Sequence, residues 1–185
     1  MKFRESGMPP VDMWDTFFNP VDVLDKMGIS SNIDLLIDIG CGYGTFIFPA
    51  ASVVKRIIGL DIDVLMIDHC RKVIKERNIT NVELMLDDVA ISSYDAYKEN
   101  ADYVTLFNML HCEEPVKLLR KAKSLLKSDG RIGVIHWKYE KTPRGPSMDI
   151  RPKPEQVIEW AASIELKLDT QVDLPPHHYG LVFKN

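Results

Sequence analysis

Two rhythms of apolar and polar positions alternate along the chain. "DLLIDIG" (34–40), "RIIGLDI" (56–62), "NVELML" (81–86), "DYVTLFNML" (102–110) and "RIGVIHW" (131–137) are short, mostly apolar runs. Such runs mark strands buried on both faces of a parallel sheet. Between them the spacing turns helical. "VLMIDHCRKVIKER" (64–77) places Leu65, Ile67, Cys70, Val73 and Ile74 at near-helical intervals. "PVKLLRKAKSLLK" (115–127) carries Val116, Leu119, Ala122 and Leu126 as one stripe beside Leu118 and Leu125, with Pro115 suited to its start and Ser128-Asp129-Gly130 to its end. "PEQVIEWAASI" (154–164) predicts a further helix, and "TFIFPAA" (45–51) begins one in which Pro49 is tolerated only near the start. "VDMWDTFFNPVDVLDKMGI" (11–29) reads as two short helical pieces, the second capped by Asn19, opened by Pro20 and closed by Gly28. The tail adds strand candidates "LKLDTQVDL" and "YGLVFKN". Strands alternating with helices predict an α/β fold, a mostly parallel sheet of seven strands with helices on both faces. The expected organisation is an N-terminal helical segment over 1–30, a candidate lid, and one domain over 31–185.

Composition narrows this little. The 185 residues suffice for one domain with a full core, and 45% apolar with 27% charged content is ordinary for a globular protein. The net charge of -4 argues against a protein that coats nucleic acid. No run is long enough to span a membrane, and "MKFRESGMPP" has no apolar signal region. Cys41, Cys70 and Cys112 show neither disulfide-framework nor zinc-ligand spacing, so no metal is expected and a reducing cytoplasm is the simplest setting.

The chemistry begins at "LLIDIGCGYGTF" (35–46). Gly40, Gly42 and Gly44 alternate with single residues directly after a buried strand. Glycine permits positive φ and removes the Cβ that would hold a ligand off the backbone. A strand, a glycine turn and a helix start make a nucleotide-type site, and in such sheets ligands sit at the carboxyl ends of the strands. Dinucleotide enzymes use G-x-G-x-x-G; here the spacing is G-x-G-x-G. Asp38, two residues before the first glycine, is awkward for a pyrophosphate but suits a cationic ligand.

"LLIDIGCGYGTF" resembles the first motif of class I S-adenosylmethionine-dependent methyltransferases, and the resemblance continues in order over about residues 33–137. "IIGLDID" is similar to the second motif, which implies that Asp61, with Ile62 beside it, meets the ribose hydroxyls. "NVELMLDDV" is similar to the third and implies an adenine contact at Asp88, with Asp87 the alternative and Val89 alongside. "ADYVTLFNMLH" is similar to the fourth, whose loop at Asn108 lies near the methionine part. "LLKSDGRIGVI" is similar to the turn into the fifth strand. The nearest group is the small bacterial and archaeal enzymes related to quinone C-methyltransferases. The resemblance implies a Rossmann-like fold, S-adenosyl-L-methionine as cofactor, and methyl transfer as activity.

Methyl transfer from a sulfonium requires alignment and exclusion of water, and a general base only where the acceptor must lose a proton. His111, after the fourth strand, and His136, after the fifth, are the catalytic candidates. "HWKYEKTPRGPSMDIRPKP" exceeds what a strand-to-helix connection needs. From 136 to 153 it holds five basic and two acidic residues, a net +3, so the rest of the -4 chain carries -7. Such a loop is a candidate receiver for an anionic acceptor through Arg144 or Arg151. Trp14 and Phe18 in the N-terminal segment, Trp137, and His177 and Tyr179 in the tail complete the acceptor candidates. The expectation is a small-molecule acceptor, with neither membrane nor nucleic acid as partner. The competing readings are a non-catalytic cofactor-binding protein, a methyltransferase acting on RNA or protein, and an NAD oxidoreductase.

Overall fold

A computed structural model of the protein describes residues 8–89, 91–92 and 97–185. The signal-region reading of residues 1–10 and the first part of the 1–30 segment fall largely on residues 1–7, outside the described residues.

The chain begins with helix α1 (Val11–Trp14), a 3-10 turn (Asp15–Phe17) and α2 (Pro20–Lys26). Strand β1 (Leu35–Ile39) leads to a single helical turn, α3 (Ile47–Ala50), shortened by the proline in it. β2 (Arg56–Asp61), α4 (Val64–Glu76), β3 (Val82–Leu86), β4 (Ala101–Phe107), α5 (Pro115–Leu125) and β5 (Leu126–Trp137) follow, then α6 (Pro154–Ala162), β6 (Lys167–Leu174) and β7 (His178–Lys184). The Asn19 cap acts as read, accepting from the Asp22 N–H at 3.3 Å, and Asp63 caps α4 in the same way, accepting from the Leu65 N–H at 2.9 Å.

The seven strands form one sheet in the order β3-β2-β1-β4-β5-β7-β6. β1 to β5 are mutually parallel where they pair, and β7 runs antiparallel to both β5 and β6. The turn expected at 128–130 lies inside β5: between the pairs Ala101–Leu126 and Tyr103–Arg131 the register shifts, so residues 127–130 bulge opposite Asp102. Lys127 and the N–H groups of Asp34 and Leu35 converge on the Asp102 carboxylate there.

Alternation along β1 divides the core. Leu35, Ile37 and Ile39 join Leu118, Leu119 and Leu125 of α5 and Val157 and Ala161 of α6. Leu36 joins Val23, Leu24 and Met27 of the α2 region, Ile47 of α3 and Ile67 of α4 on the other face. Val23, Leu24 and Met27 are therefore core, and Tyr103 ties this helix end down by donating to the Met27 carbonyl at 2.7 Å. Only the segment 8–18 lies over the carboxyl ends of the strands. The chain leaves β1 toward β2 and β3, and β4 sits on β1's other side. That reversal is the switch point at which such sheets bind ligands. Among the described residues no helix is long and apolar enough to cross a membrane.

Candidate functional site

At the switch point lies a cavity of about 760 Å³, walled by the ends of β1, β2, β3 and β4, the N-terminal segment and the 138–153 loop. The turn after β1 is built from positive-φ glycines: Gly40 at +82°, Gly42 at +52° and Gly44 at +79°. The Gly40 and Cys41 N–H groups both donate to the Leu60 carbonyl, at 2.7 and 2.9 Å, which pins the turn to β2. A Cβ on Gly40 would stand 2.5 Å from Met109 Sδ, and one on Gly42 would stand 3.2 Å from Met8 Cε. Both methionines line the cavity, so the missing Cβ atoms are part of its wall. Gly44 differs. It is absent from the cavity wall, and its Cβ would strike the Phe48 ring at 2.3 Å, so the expectation of a ligand-facing glycine there is corrected to a packing glycine.

Four carboxylates come to the cavity from β1 to β3: Asp38, Asp61, Asp87 and Asp88. Asp61 is buried. Its Oδ2 accepts from the Gly42 N–H at 2.8 Å and its Oδ1 from the Asp63 N–H at 2.9 Å. Each oxygen has capacity for a second donor. Burial pushes its pKa up, and the N–H groups of Asp63 and Gly42 pull the other way. Asp38 is buried more deeply and is raised to about 7 by burial, against donation from Thr105 and with a further push from Asp61. Asp87 Oδ1 accepts from the Asp88 N–H and the Ser92 hydroxyl. Ile62 and Val89 line the same wall.

Asn108, just past β4, has φ +58°, and its backbone N–H donates to the Ile135 carbonyl at 2.7 Å. Asn108 is one of the residues that line the cavity, while its side-chain Oδ1 and Nδ2 are buried with no hydrogen-bond partner among the described residues.

The acceptor candidates separate sharply. Trp14 lines the cavity and donates to the Thr45 hydroxyl at 2.9 Å, while Tyr43 donates to the Pro9 carbonyl, so the N-terminal segment is tied across the glycine turn. Trp137 is also on the wall, packed edge-on to Phe17 at 5.2 Å. Phe18 is not; it packs on Trp14, Phe46 and His178. Arg144 is exposed, lines the cavity, and has no ion pair or side-chain hydrogen bond among the described residues. Arg151 is buried and occupied: its guanidinium donates to the carbonyls of Lys138, Glu140, Arg144 and Pro146 and to the Thr142 hydroxyl. The expectation that Arg151 receives an anion is therefore corrected; its donors organise the loop. Tyr179 is likewise structural, donating to the Pro152 carbonyl at 3.0 Å. His177 stacks on Trp137 and stands off the cavity wall, so neither tail candidate reaches the cavity. His111 is on the wall, with Nδ1 3.3 Å from Nε2 of the fully buried His136.

Met8, Thr45, Thr105, Met109 and Ile150 are site residues that the pattern reading passed over. Met109 lies inside the quoted "NMLH" run and could have been chosen; Thr105 becomes visible only through its register opposite Asp38.

The wall suits an adenosyl-amino acid sulfonium: bare backbone at Gly40 and Gly42 and acceptor capacity at Asp61. Similarity to known proteins points the same way. A family model described as a methyltransferase domain matches residues 31–165. The chain is 33% identical over 123 residues to nocamycin O-methyltransferase of Saccharothrix syringae, covering 64% of this chain and 43% of that protein. It is 23% identical to a protein of Methanosphaera stadtmanae named "Probable ribosomal RNA small subunit methyltransferase A", covering 85% of this chain and 54% of that one. The chain thus spans about half the length of these curated relatives. A crystal structure titled a SAM-dependent methyltransferase from Aquifex aeolicus superposes with a TM-score of 0.82 over 96% of this chain and 98% of its own, at 18% identity, and shares the fold.

Proposed function

This chain belongs to the methyltransferase-domain family, with the class I S-adenosylmethionine-dependent architecture, and from that premise we propose that it methylates a small acceptor carrying an anionic group. When bound, S-adenosylmethionine supplies an electrophilic methyl group on a sulfonium. Asp61 takes the ribose hydroxyls, Asp88 and Val89 the adenine, and Gly40 and Gly42 give the ligand access to the backbone. Asn108 and the Asp38 end of β1 receive the amino-acid part. The observation that carries this reading is the positive-φ turn whose Gly40 and Gly42 line the same cavity as the buried Asp61 carboxylate.

The acceptor side follows from the remaining wall. The 8–18 segment acts as a lid, with Met8, Pro9 and Trp14 over the cavity, and excludes water from the reacting groups. Arg144 is the cation available to an anionic acceptor, since Arg151 is fully engaged in the loop. Arginine's planar fork suits a carboxylate or phosphate.

Titration calorimetry with S-adenosylmethionine, S-adenosylhomocysteine and NAD tests the reading. Micromolar binding of the first two and none of NAD is expected, a free energy of about -8 kcal/mol. Binding of NAD alone would overturn it. A metabolite extract incubated with methyl-labelled cofactor then identifies the acceptor. Arg144→Ala should leave cofactor affinity unchanged and weaken labelling of that acceptor.

A further inference from the structure

None of the cofactor contacts assigned above involves Thr105, yet among the described residues it supplies the side-chain hydrogen bond that Asp38 accepts. We propose, resting on the cofactor reading above, that Thr105 is a positioning residue for the cofactor's amino-acid tail: its hydroxyl fixes the Asp38 carboxylate toward the ligand's ammonium group and favours its charge, so that the site prefers ligands carrying this cation.

The two side chains are neighbours by register. Asp38 of β1 pairs with Thr105 of β4, so both project from the same face of the sheet. That face is otherwise apolar: Leu36 precedes Asp38 on it, and Tyr103 and Phe107 flank Thr105. Both residues are buried. Thr105 Oγ1 stands 2.5 Å from Asp38 Oδ1 and 3.4 Å from the Ile37 carbonyl oxygen. A hydroxyl has one proton to give, and an ionised carboxylate can only accept. When Asp38 is charged, the proton therefore goes to Oδ1. When Asp38 is protonated, its carboxyl can donate to Oγ1, and the Thr105 proton turns to the more distant Ile37 carbonyl. The hydroxyl serves both forms, but the charged form holds the shorter, charge-assisted bond.

The other carboxylate oxygen is the one left for a ligand. Asp38 Oδ2 has no hydrogen-bond partner among the described residues. The sealed side-chain atoms without a partner belong to Asn108, His136 and His178, so Oδ2 is not closed off. It opens on the cavity that Asp38 lines. The ionisable groups beside Asp38 are Asp61 on β2 and Cys41 in the glycine turn, and neither is a cation. A buried carboxylate without a cation is costly, and a ligand's ammonium group removes that cost. Tying Oδ1 to Thr105 fixes the rotation of the carboxylate and leaves Oδ2 facing outward. Burial and Asp61 press Asp38 toward its neutral form, and Thr105 is the side chain that opposes them.

Titration calorimetry with two ligands tests the role. S-adenosylhomocysteine carries the ammonium group, and 5′-methylthioadenosine is a nucleoside thioether without the amino-acid tail. In the unmodified protein the affinity for the first should rise from pH 6 to 8, and that for the second should stay level. Thr105→Val should weaken binding of the first about tenfold at pH 7, displace its rise to higher pH, and leave the second unchanged. Thr105→Ser keeps the hydroxyl and should restore both the affinity and the profile. The same pH profile for the two ligands in the unmodified protein overturns the proposal without recourse to any variant. So does a Thr105→Val protein in which both ligands weaken equally, or a serine variant that behaves as the valine variant does. Failure of both ligands to bind the unmodified protein removes the cofactor reading, and with it this role. Binding of both with matching pH profiles removes this role alone.

Discussion

At the scale of single residues, the hydroxyl contact proposed for Asp61 adds to a structural one: its carboxylate holds the N–H groups of Gly42 and Asp63. Asp61→Ala should therefore abolish cofactor binding and also lower stability, because two backbone donors lose a charged acceptor worth roughly 1.5–3 kcal/mol each. For a domain of this size about 1 kcal/mol corresponds to roughly 2–4 °C, so a melting temperature lower by several degrees is expected in calorimetric scans. An unchanged melting temperature would show that these bonds contribute nothing. Asp38 carries a pH prediction. Its folded pKa of about 7 lies above the unfolded value of 3.8, so the folded state binds the extra proton between those values. Its contribution to stability is full below 3.8 and falls as pH rises toward 7. A cation bound beside it favours the ionised form. Cofactor affinity should then rise from pH 6 to 8, with proton release detectable at pH 6.5 in buffers of different ionisation enthalpy.

At the scale of elements, two loops owe their shape to groups that do not serve the ligand. The glycine turn contains both kinds, Gly40 and Gly42 on the cavity wall and Gly44 in packing. Gly44→Ala sets a Cβ against the Phe48 ring and at φ +79°, and should destabilise the fold markedly. Gly42→Val meets only the flexible Met8 side chain but sets a β-branched residue at φ +52°; it should melt earlier than the unmodified protein and, in the fraction that stays folded, lose cofactor binding because it fills the cavity wall. The 138–153 loop is drawn around Arg151, which also lies over the Trp137 ring at 5.9 Å. Gly145, at φ +105°, lets the backbone rest against that ring and the guanidinium. A lysine offers three donors from one point and cannot reach the same carbonyls. Arg151→Lys should lower the melting temperature by roughly 5 °C or more, while Arg144→Ala should leave it unchanged. Equal effects of the two substitutions would sink the division of labour between these arginines.

At the scale of the whole molecule, buried imidazoles couple folding to pH. His178 lies between Phe18, at 4.3 Å, and Trp137, at 4.2 Å, with both ring nitrogens unpartnered. Burial, His177, Arg151 and Lys138 hold its pKa at about 3, and His136 is lowered as well. The unfolded chain takes up these protons near 6.5 and the folded chain does not, so stability is full above 6.5 and is lost as pH falls toward 3. Asp38 and Asp61 act oppositely in part of that window, two carboxyls against the three lowered imidazoles of His111, His136 and His178. Urea midpoints should fall from pH 7.5 to 4.5, and His178→Phe, which breaks no hydrogen bond, should flatten the slope and preserve the midpoint at pH 7.5. An unaltered slope would mean that His178 is not the titrating group.

What the linear sequence determined is whatever depends on neighbours a few positions apart. The buried runs, the amphipathic α5 stripe, the cap at Asn19 and the glycine turn after β1 all depend on near neighbours, so the alternation of strands and helices and the glycine turn at the cavity were legible in it. The ordered motifs even located Asn108, although nothing local says that its amide would be left without a partner. What only tertiary structure decided is which of several chemically similar side chains is free. Arg144 and Arg151 share one loop and one charge, but carbonyls separated by up to 13 positions converge on Arg151 alone. His111 and His136, 25 residues apart, become a pair only because β4 and β5 lie side by side. Sequence spacing records intervals along the backbone. A guanidinium's hydrogen bonds or an imidazole's partner depend on distances across it, and those exist only once the sheet has closed.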